Sequence, residues 1–141
     1  MVKSVLVAAA AALGLAVSAT AACADVVAKV SIAQQTMSVY VDGALTYTWP
    51  VSTGRKGFPT PRGNFRAQWL DLEHYSSLYE NAPMPHSVFF KEGFAVHGSY
   101  EIRNLGHPVS HGCVRLSPTH AAQFYALAED EGLAATRVVI K

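Results

Sequence analysis

The chain has 141 residues, half of them hydrophobic and 15% charged, with a formal net charge of +1. This length suits one globular domain with its own core, so we expect no second domain. The small charge and the lack of any Lys/Arg run exclude nucleic acid or a membrane surface as a partner held by bulk charge.

The first 24 residues have the pattern of a secretory signal peptide. Lys3 is the positive charge, and residues 5–17 form an apolar stretch that is short for a bilayer span, which takes ~20 residues. Ala22-Cys23-Ala24 resembles a small-residue cleavage site. The sequence therefore predicts a signal peptide at 1–24 and one exported domain at 25–141.

Two alternatives for this segment stay open. It could be an uncleaved anchor, or a lipoprotein signal acylated at Cys23, although Thr20 stands where such signals usually carry Leu. Cleavage after Ala24 removes one cation, Lys3, which leaves ten Lys and Arg against ten Asp and Glu. The exported domain then has one cysteine, Cys113. Since one thiol cannot form an internal disulfide, it favours a reactive group or an intermolecular partner.

The first part of the exported domain is predicted to be β-structure. Residues 26–32 are β-branched and residues 37–41 alternate apolar with polar, which is typical of strands, with Gln34-Gln35 as a turn. Asp42-Gly43 separates the second run from residues 44–52. This pair predicts a type I′ hairpin, because both central residues of such a turn need φ > 0.

The middle of the chain is predicted to be less regular. Residues 53–63, TGRKGFPTPRG, are dense in Gly and Pro and predict a loop. Residues 65–70 are predicted as a strand, whereas residues 72–84 are predicted as irregular. Apolar runs at 88–90 and 94–96 predict a second strand pair.

One helix and one strand are predicted at the C-terminal end. Ser117 is a good N-cap, Pro118 fits the first helical position, and Gly132 is suited to the helix end. Residues 136–140 form the last strand. The apolar helix face consists of Phe124, Leu127 and Ala128. We therefore expect a mainly β fold with one helix packed on a sheet.

The lone thiol lies in the stretch SHGCVRLS at 110–117. A cysteine with its usual pKa near ~8.5 needs a base or a positive charge beside it to act as a nucleophile. His111 would point the same way as Cys113 in an extended loop, and His97 is the other candidate base. A third group must orient the base. The candidates are the Gly98 carbonyl oxygen and the hydroxyls of Ser99 and Ser110.

Neighbouring residues could stabilise negative charge. The backbone N–H groups of Gly112 and Cys113 could converge on an oxyanion, at ~2.7–4 kcal/mol per donor. Arg115 keeps its charge at neutral pH and suits a carboxylate. Together these features favour acyl transfer through a thioester.

Other interpretations of the same residues stay open. A lone cysteine is often a buried apolar residue, and Arg115 taken alone could be a surface charge. A zinc site is an alternative, although its spacing matches no standard motif. Its ligands would be His97, His107, His111 and Cys113. Three further histidines are interpreted as ordinary surface or helix residues, namely His74, His86 and His120.

The motif SHGCVR, with His97-Gly98 upstream, resembles the catalytic signature of the L,D-transpeptidases, the YkuD-like domain. SIAQQTMSVYVDG resembles the opening hairpin of that family, and PVSTGRKGFPTPRGNF resembles its V-S-T-G and T-P-x-G-x-F segment. APMPHSVFF resembles the segment before the catalytic strand, except that His86 stands where a larger aromatic is expected. The resemblance covers residues 26–140 approximately.

The resemblance implies a role for each residue of the site. Cys113 would be the nucleophile, and His97 the general base and acid, oriented by the Gly98 carbonyl. The oxyanion hole would consist of the N–H groups of His111, Gly112 and Cys113. Ser110 and Arg115 would support the site, with Arg115 facing substrate carboxylates.

The resemblance also implies the fold and the chemistry. The fold would be a β-sandwich-like mixed sheet with a helix. The acyl donor would be a peptidoglycan stem peptide, attacked at the L,D-amide of its third residue. The acceptor would be an amine of another stem, a D-amino acid or an envelope protein. No metal or other cofactor is implied, carbapenems should acylate Cys113, and we expect a monomer in the periplasm or cell envelope of a bacterium.

Two further functions are carried as alternatives. With water as acceptor, the same site would be an L,D-carboxypeptidase or an amidase. A non-catalytic wall-binding or zinc-binding module on this fold would leave the thiol unreactive.

Overall fold

The structure, a computed structural model, describes residues 4–16 and 25–141. Residues 4–16 are exposed and contain no helix or strand. Lys3 and the Ala22-Cys23-Ala24 motif lie outside the described residues, so the signal peptide and the fate of Cys23 stay predictions.

Residues 25–141 fold into β-strands with one α-helix. The order along the chain is β1 Val26–Ser31, β2 Thr36–Val41, β3 Ala44–Pro50, β4 Gly63–Arg66, β5 Trp69–Tyr75, β6 Pro83–Lys91, β7 Phe94–Gly98, β8 Val114–Leu116, α1 Pro118–Glu131 and β9 Thr136–Ile140. Two short 3₁₀ turns occupy Ile102–Asn104 and Leu133–Ala135. The predicted class, mainly β with mixed sheets and one packed helix, is confirmed.

The first sheet has five strands in the order β3-β2-β1-β9-β4. β1 and β9 are parallel, and the other three neighbouring pairs are antiparallel. Alternate β1 residues are buried, which reflects the two-residue side-chain period of a strand. Asp42 and Gly43 join β2 to β3 with φ of 50° and 79°. The predicted hairpin is confirmed, since both turn residues have positive φ.

The second sheet has four strands in the order β5-β6-β7-β8. β5, β6 and β7 form antiparallel pairs, whereas β7 and β8 are parallel. Parallel neighbours need a crossover, and here the connection is the loop of residues 99–113 with its 3₁₀ turn. This loop returns the chain so that β8, which directly follows SHGC, pairs with β7.

Helix α1 packs on the second sheet, with contacts to β6 and β7. Ser117 is its N-cap and accepts a hydrogen bond from the His120 N–H at 3.2 Å, as its sequence predicts. Ala121, Phe124 and Ala128 are buried, while Leu127 is half-buried. Because β8 ends at Leu116, the helix directly follows the strand that carries the site.

The predicted strand at residues 65–70 is wrong, because the chain changes sheets in the middle of it. The Ala67 N–H bonds to the Thr136 carbonyl of the first sheet, and the Gln68 N–H bonds to the Phe89 carbonyl of the second. Residues 65–70 are therefore divided between two strands, β4 and β5, which belong to different sheets.

The predicted irregular segment at residues 72–84 is also partly wrong. β5 continues to Tyr75 and β6 begins at Pro83, so the β5–β6 loop comprises residues 76–82. Cross-strand packing explains the long hairpin, since the rings of Trp69 and Phe89 stack at 3.6 Å between centroids. Because such pairing depends on a residue distant in sequence, the local pattern of apolar and polar residues does not predict it.

Within residues 4–16 and 25–141, no helix combines the length and apolar character needed to cross a membrane.

Candidate active site

His97 lies near the end of β7 and is 4% exposed. Its Nδ1 is 2.7 Å from the Gly98 carbonyl oxygen. A carbonyl can only accept, so Nδ1 carries the hydrogen and the lone pair of Nε2 is available to a proton. The other two candidates for orienting this ring bond elsewhere. Ser99 Oγ accepts from the Glu101 N–H, and Ser110 Oγ donates to the Cys113 carbonyl.

Burial sets the charge state of His97. Loss of hydration lowers its pKa from 6.5 to about 4, and the bond to Gly98 opposes this shift. The positive charges of Arg115 and His74 lower it further. The ring is therefore a neutral base at neutral pH.

Cys113 lies on the same face of the second sheet as His97. In the parallel β7/β8 pairing, His97 is the register partner of Arg115, and Cys113 is two residues before Arg115. Side chains two residues apart in a strand point to the same face. The burial pattern agrees, since Val114 and Leu116 are fully buried while Cys113 and Arg115 are half-buried.

The Cys113 thiol rests against the sheet as a neutral group. It packs beside Met84, Phe89 and Ala95, and its Sγ is 3.9 Å from the Gly93 carbonyl oxygen. Burial raises its pKa, with opposing effects from the Ala95 backbone and Arg115. Among the described residues no hydrogen bond joins this thiol to His97. Such bonds often tighten only when substrate is present.

Ser110 and Gly112 shape the turn that presents Cys113. The buried Ser110 hydroxyl donates to the Cys113 carbonyl at 2.6 Å and accepts from the Gly112 N–H at 3.0 Å. Gly112 has φ of 119°, a region that favours glycine. The Gly112 N–H is thus occupied by Ser110, so an oxyanion role for it requires that bond to break.

The V-S-T-G segment holds this turn in place. The Ser110 N–H bonds to the Thr53 carbonyl at 3.0 Å, and the Arg55 N–H bonds to the Ser110 carbonyl at 2.9 Å. Ser52 and Arg115 exchange both backbone hydrogen bonds, at 3.0 and 2.9 Å. The resemblance to the family segment around residues 51–54 therefore corresponds to a scaffold for SHGCVR.

His111 contacts two loops rather than the thiol. Its ring stacks on Tyr79 of the β5–β6 loop at 4.0 Å between centroids, and it meets Phe58 edge-on at 5.1 Å. Desolvation lowers its pKa, assisted by Arg55 and Arg115. His111 is thus placed beside Cys113 in sequence but forms part of the wall of the site.

Arg115 is paired in this structure. Its Nη1 donates to Glu101 Oε2 at 3.1 Å, with the arginine side chain 18% exposed and the glutamate side chain 64% exposed. Arg115 also acts on the rest of the site at longer range, because its charge lowers the pKa values of His97, His111 and Cys113.

A cavity of about 710 Å³ opens over these groups. Its lining includes His97, His111 and Arg115 from the predicted site, together with Tyr79 and Glu101. Cys113 is not among the lining residues, although Met84, against which it packs, is. The volume is that of a small-molecule or short-peptide pocket.

The zinc alternative is not supported. No group of three or more His, Cys, Asp or Glu side chains could hold a metal ion within the described part of the chain. The His107 side chain is exposed, and its backbone carbonyl accepts a hydrogen bond from Ser52 Oγ at 2.6 Å.

The other histidines bond or stack with residues other than Cys113. His74 pairs with Asp71 at 2.9 Å, and His120 stacks on Trp49. His86 lies in β6 with φ of 53° and meets the Tyr125 ring edge-on at 5.5 Å.

Sequence reasoning missed three contact residues of the site. Tyr79 and Phe58 flank His111, and Glu101 pairs with Arg115. All three lie in loops, where side-chain partners follow no periodic pattern. An aromatic residue in the β5–β6 loop was the one available signal for Tyr79.

Comparison with known proteins agrees with this architecture. The family model of the L,D-transpeptidase catalytic domain, YkuD, matches residues 25–140. Because this match covers most of the chain, the protein belongs to the YkuD family of L,D-transpeptidase catalytic domains. A search of curated proteins found no match.

Solved structures show the same fold. An L,D-transpeptidase from Mycobacterium smegmatis is 30% identical with a TM-score of 0.73, and 84% of this chain aligns with 59% of that one. One from Mycobacterium tuberculosis H37Rv is 26% identical with a TM-score of 0.74, over 84% and 58% of the two chains. LdtMt1 in complex with imipenem is 25% identical with a TM-score of 0.74, over 84% and 59%. The chain thus spans about three fifths of the length of these proteins.

Proposed function

We propose that this chain is a cysteine L,D-transpeptidase that acts on peptidoglycan stem peptides in the cell envelope. Cys113 would take the acyl group as a thioester and pass it to an amine. Family membership supports the reaction class, and the predicted signal peptide supports the location.

One observation carries the cysteine mechanism. The buried His97 ring is held by the Gly98 carbonyl with its Nε2 lone pair free, on the same sheet face as Cys113. A base oriented by a third group beside a nucleophile is the arrangement that covalent catalysis needs.

The charge states define the proton transfers. Cys113 begins as a thiol and His97 as a neutral ring, since burial moves the pKa of each group towards its uncharged form. As sulfur attacks the carbonyl carbon of the L,D-amide, the thiol proton moves to His97 Nε2. The imidazolium then protonates the departing amine of the D-residue as its C–N bond breaks. The acceptor amine reverses these steps and releases the thiol.

One further feature of the site favours a peptide carboxylate as substrate. Arg115 lines the cavity and retains N–H donors for a carboxylate. The related LdtMt1 is found in complex with imipenem, and a β-lactam carbonyl is attacked by the same kind of nucleophile. We therefore expect carbapenems to acylate Cys113.

Product analysis tests this function. A stem tetrapeptide ending in a D-residue is incubated with the protein, with and without D-methionine, beside Cys113→Ala. We expect release of the terminal D-residue and its replacement by D-methionine in the parent, and no turnover in the variant. Circular dichroism checks that the variant is folded. Turnover retained by Cys113→Ala would contradict the mechanism, and a tripeptide product unaffected by added amine would make the enzyme a carboxypeptidase.

A further inference from the structure

The Arg115–Glu101 pair places two opposite charges side by side in the cavity wall. Arg115 Nη1 and Glu101 Oε2 are 3.1 Å apart, and both residues line the cavity together with His97. A pair with one partner 64% exposed contributes little to stability, typically about 0–1 kcal/mol. Its place in the cavity therefore suggests a role in ligand binding.

Both partners are held by further hydrogen bonds. Glu101 Oε2 also accepts from Asn104 Nδ2 at 3.2 Å, and the Glu101 N–H donates to Ser99 Oγ at 3.2 Å. The backbone of Arg115 is fixed on both sides by Ser52. The two charges are thus preorganised, which reduces the entropy that a ligand must lose to bind them.

Each partner retains capacity for a ligand. The side-chain bonds described for Glu101 all go to Oε2, which leaves Oε1 available. Arg115 uses Nη1 in its described side-chain bond, out of five N–H donors. A ligand that fits both must carry a cation and an anion next to each other. The ammonium and carboxylate on one carbon of a free α-amino acid end meet this requirement.

We propose that Glu101 is a specificity-determining residue that, with Arg115, binds the α-amino acid end of a substrate. The ammonium contacts Glu101 and the carboxylate contacts Arg115. This proposal rests on the proposed function and names the group that the site selects. Two sources offer this chemistry: the side chain of a diamino diacid at the third position of the donor stem, and a free D-amino acid acceptor. In the second case the bound ammonium first releases one proton to solvent, and the neutral amine then gives its second proton to His97 as it attacks the thioester carbonyl.

The pair predicts opposite effects for two kinds of ligand. Glu101 strengthens the binding of a ligand that carries both an ammonium and a carboxylate. A ligand that carries the carboxylate alone is repelled by Glu101 and competes with it for Arg115. Glu101→Gln should therefore weaken the binding of the first kind of ligand and strengthen the binding of the second. A purely structural role for Glu101 would shift both in the same direction.

The donor arm of the test measures acylation of the full exported domain by mass spectrometry. The donors are a stem tetrapeptide with diaminopimelate at position three, the same peptide with 2-aminopimelate there, which keeps the side-chain carboxylate and lacks the ammonium, and a carbapenem that carries a carboxylate but no ammonium. In Glu101→Gln we expect the diaminopimelate-to-2-aminopimelate rate ratio to fall about 3–10-fold, while carbapenem acylation becomes faster. Glu80→Gln is the matched control. It removes the same charge from the same cavity, and no bond to Arg115 is described for it.

The acceptor arm measures binding without turnover. D-methionine, N-acetyl-D-methionine and D-methioninamide are titrated into Cys113→Ala and into Cys113→Ala/Glu101→Gln by ligand-detected NMR. Weaker D-methionine binding in the double variant, by about 3–10-fold, assigns the pair to the acceptor, and a change confined to the donor arm assigns it to the donor.

The proposal is overturned if Glu101→Gln changes neither the donor ratio nor D-methionine binding, or if Glu80→Gln reproduces its effects. Carbapenem acylation of the parent distinguishes this from failure of the proposed function. If the parent forms no adduct and no peptide thioester, the function itself is wrong.

Discussion

Burial shifts the pKa values of His97 and Cys113 in directions that keep both groups uncharged. The His97 value falls to about 4 and the Cys113 value rises. A thiolate–imidazolium pair would need the reverse shifts, as cysteine nucleophiles in electropositive sites show. These shifts favour a neutral thiol and a neutral ring over the ion pair in the structure without substrate.

Gly112 is the residue whose replacement should affect the position of the Cys113 thiol most directly. A Cβ at this position would lie 2.6 Å from the Phe94 ring, and its φ of 119° is unfavourable for other residues. Strain and overpacking together should lower the free energy of unfolding of Gly112→Ala by about 2–5 kcal/mol. Because Cys113 is adjacent, acylation should slow at least about tenfold. Urea denaturation and adduct kinetics measure the two effects.

Gly106→Ala is the matched control for this prediction. Its φ is 91°, but a Cβ there meets nothing within 4 Å. Backbone strain should lower the free energy of unfolding of Gly106→Ala by about 1–2 kcal/mol, and its acylation rate should equal that of the parent. If Gly112→Ala is as mild as Gly106→Ala, the contact with Phe94 does not position the thiol.

The low pKa of His97 also makes stability depend on pH. The unfolded chain binds a proton near pH 6.5 and the folded protein near pH 4, so the stabilisation is complete above 6.5 and is lost as pH falls through this window. The full difference is about 3 kcal/mol. Between pH 7 and pH 4.5 the parent should lose about 2–3 kcal/mol more than His97→Gln in urea denaturation. Equal losses would show that His97 titrates normally.

Among the secondary-structure elements, the β5–β6 hairpin connects the second sheet to the wall of the site. Its loop is closed by its own bonds, since Ser76 Oγ accepts from the Tyr79 N–H at 3.1 Å and the Ser76 N–H donates to the Ala82 carbonyl. Tyr79 carries the contact to His111. The loop therefore covers the cavity as an ordered unit joined to the SHGC turn by one aromatic stack.

Loss of that stack should slow acylation with little effect on stability. An aromatic pair contributes about 0.5–1.5 kcal/mol, so Tyr79→Ala should reduce the acylation rate by about 2–12-fold, while Tyr79→Phe keeps the ring and should match the parent. Tyr79 is 37% exposed, so thermal unfolding should hardly change. Equal rates in the Ala and Phe variants would show that the stack has no part in positioning the loop.

At the scale of the whole molecule, sequence patterns predicted those structural features that depend only on residues close together in the chain. The Asp42-Gly43 hairpin and the Ser117 cap are local devices, and both are confirmed. The change of sheet at Ala67 and Gln68 was not predictable, because the bonds that cause it come from Thr136 and Phe89, far away in sequence. Pairing with distant strands overrides local propensity there.

The site divides in the same way. Motif resemblance predicted roles for Cys113, His97 and Gly98, and the structure contains the expected bond between His97 and the Gly98 carbonyl. Spacing alone left His97 and His111 as equal candidates, and the β7/β8 register is what separates them. The Arg115 partner was missed, because Glu101 meets it across the crossover loop.

Intact-mass spectrometry of the exported domain with a carbapenem tests the central claim most directly, beside Cys113→Ala. We expect one covalent adduct on the parent and none on the variant. The mass of the unmodified protein also reports whether cleavage follows Ala24. No adduct on the parent, or an equal adduct on both proteins, would contradict the claim that Cys113 is the acyl-accepting nucleophile.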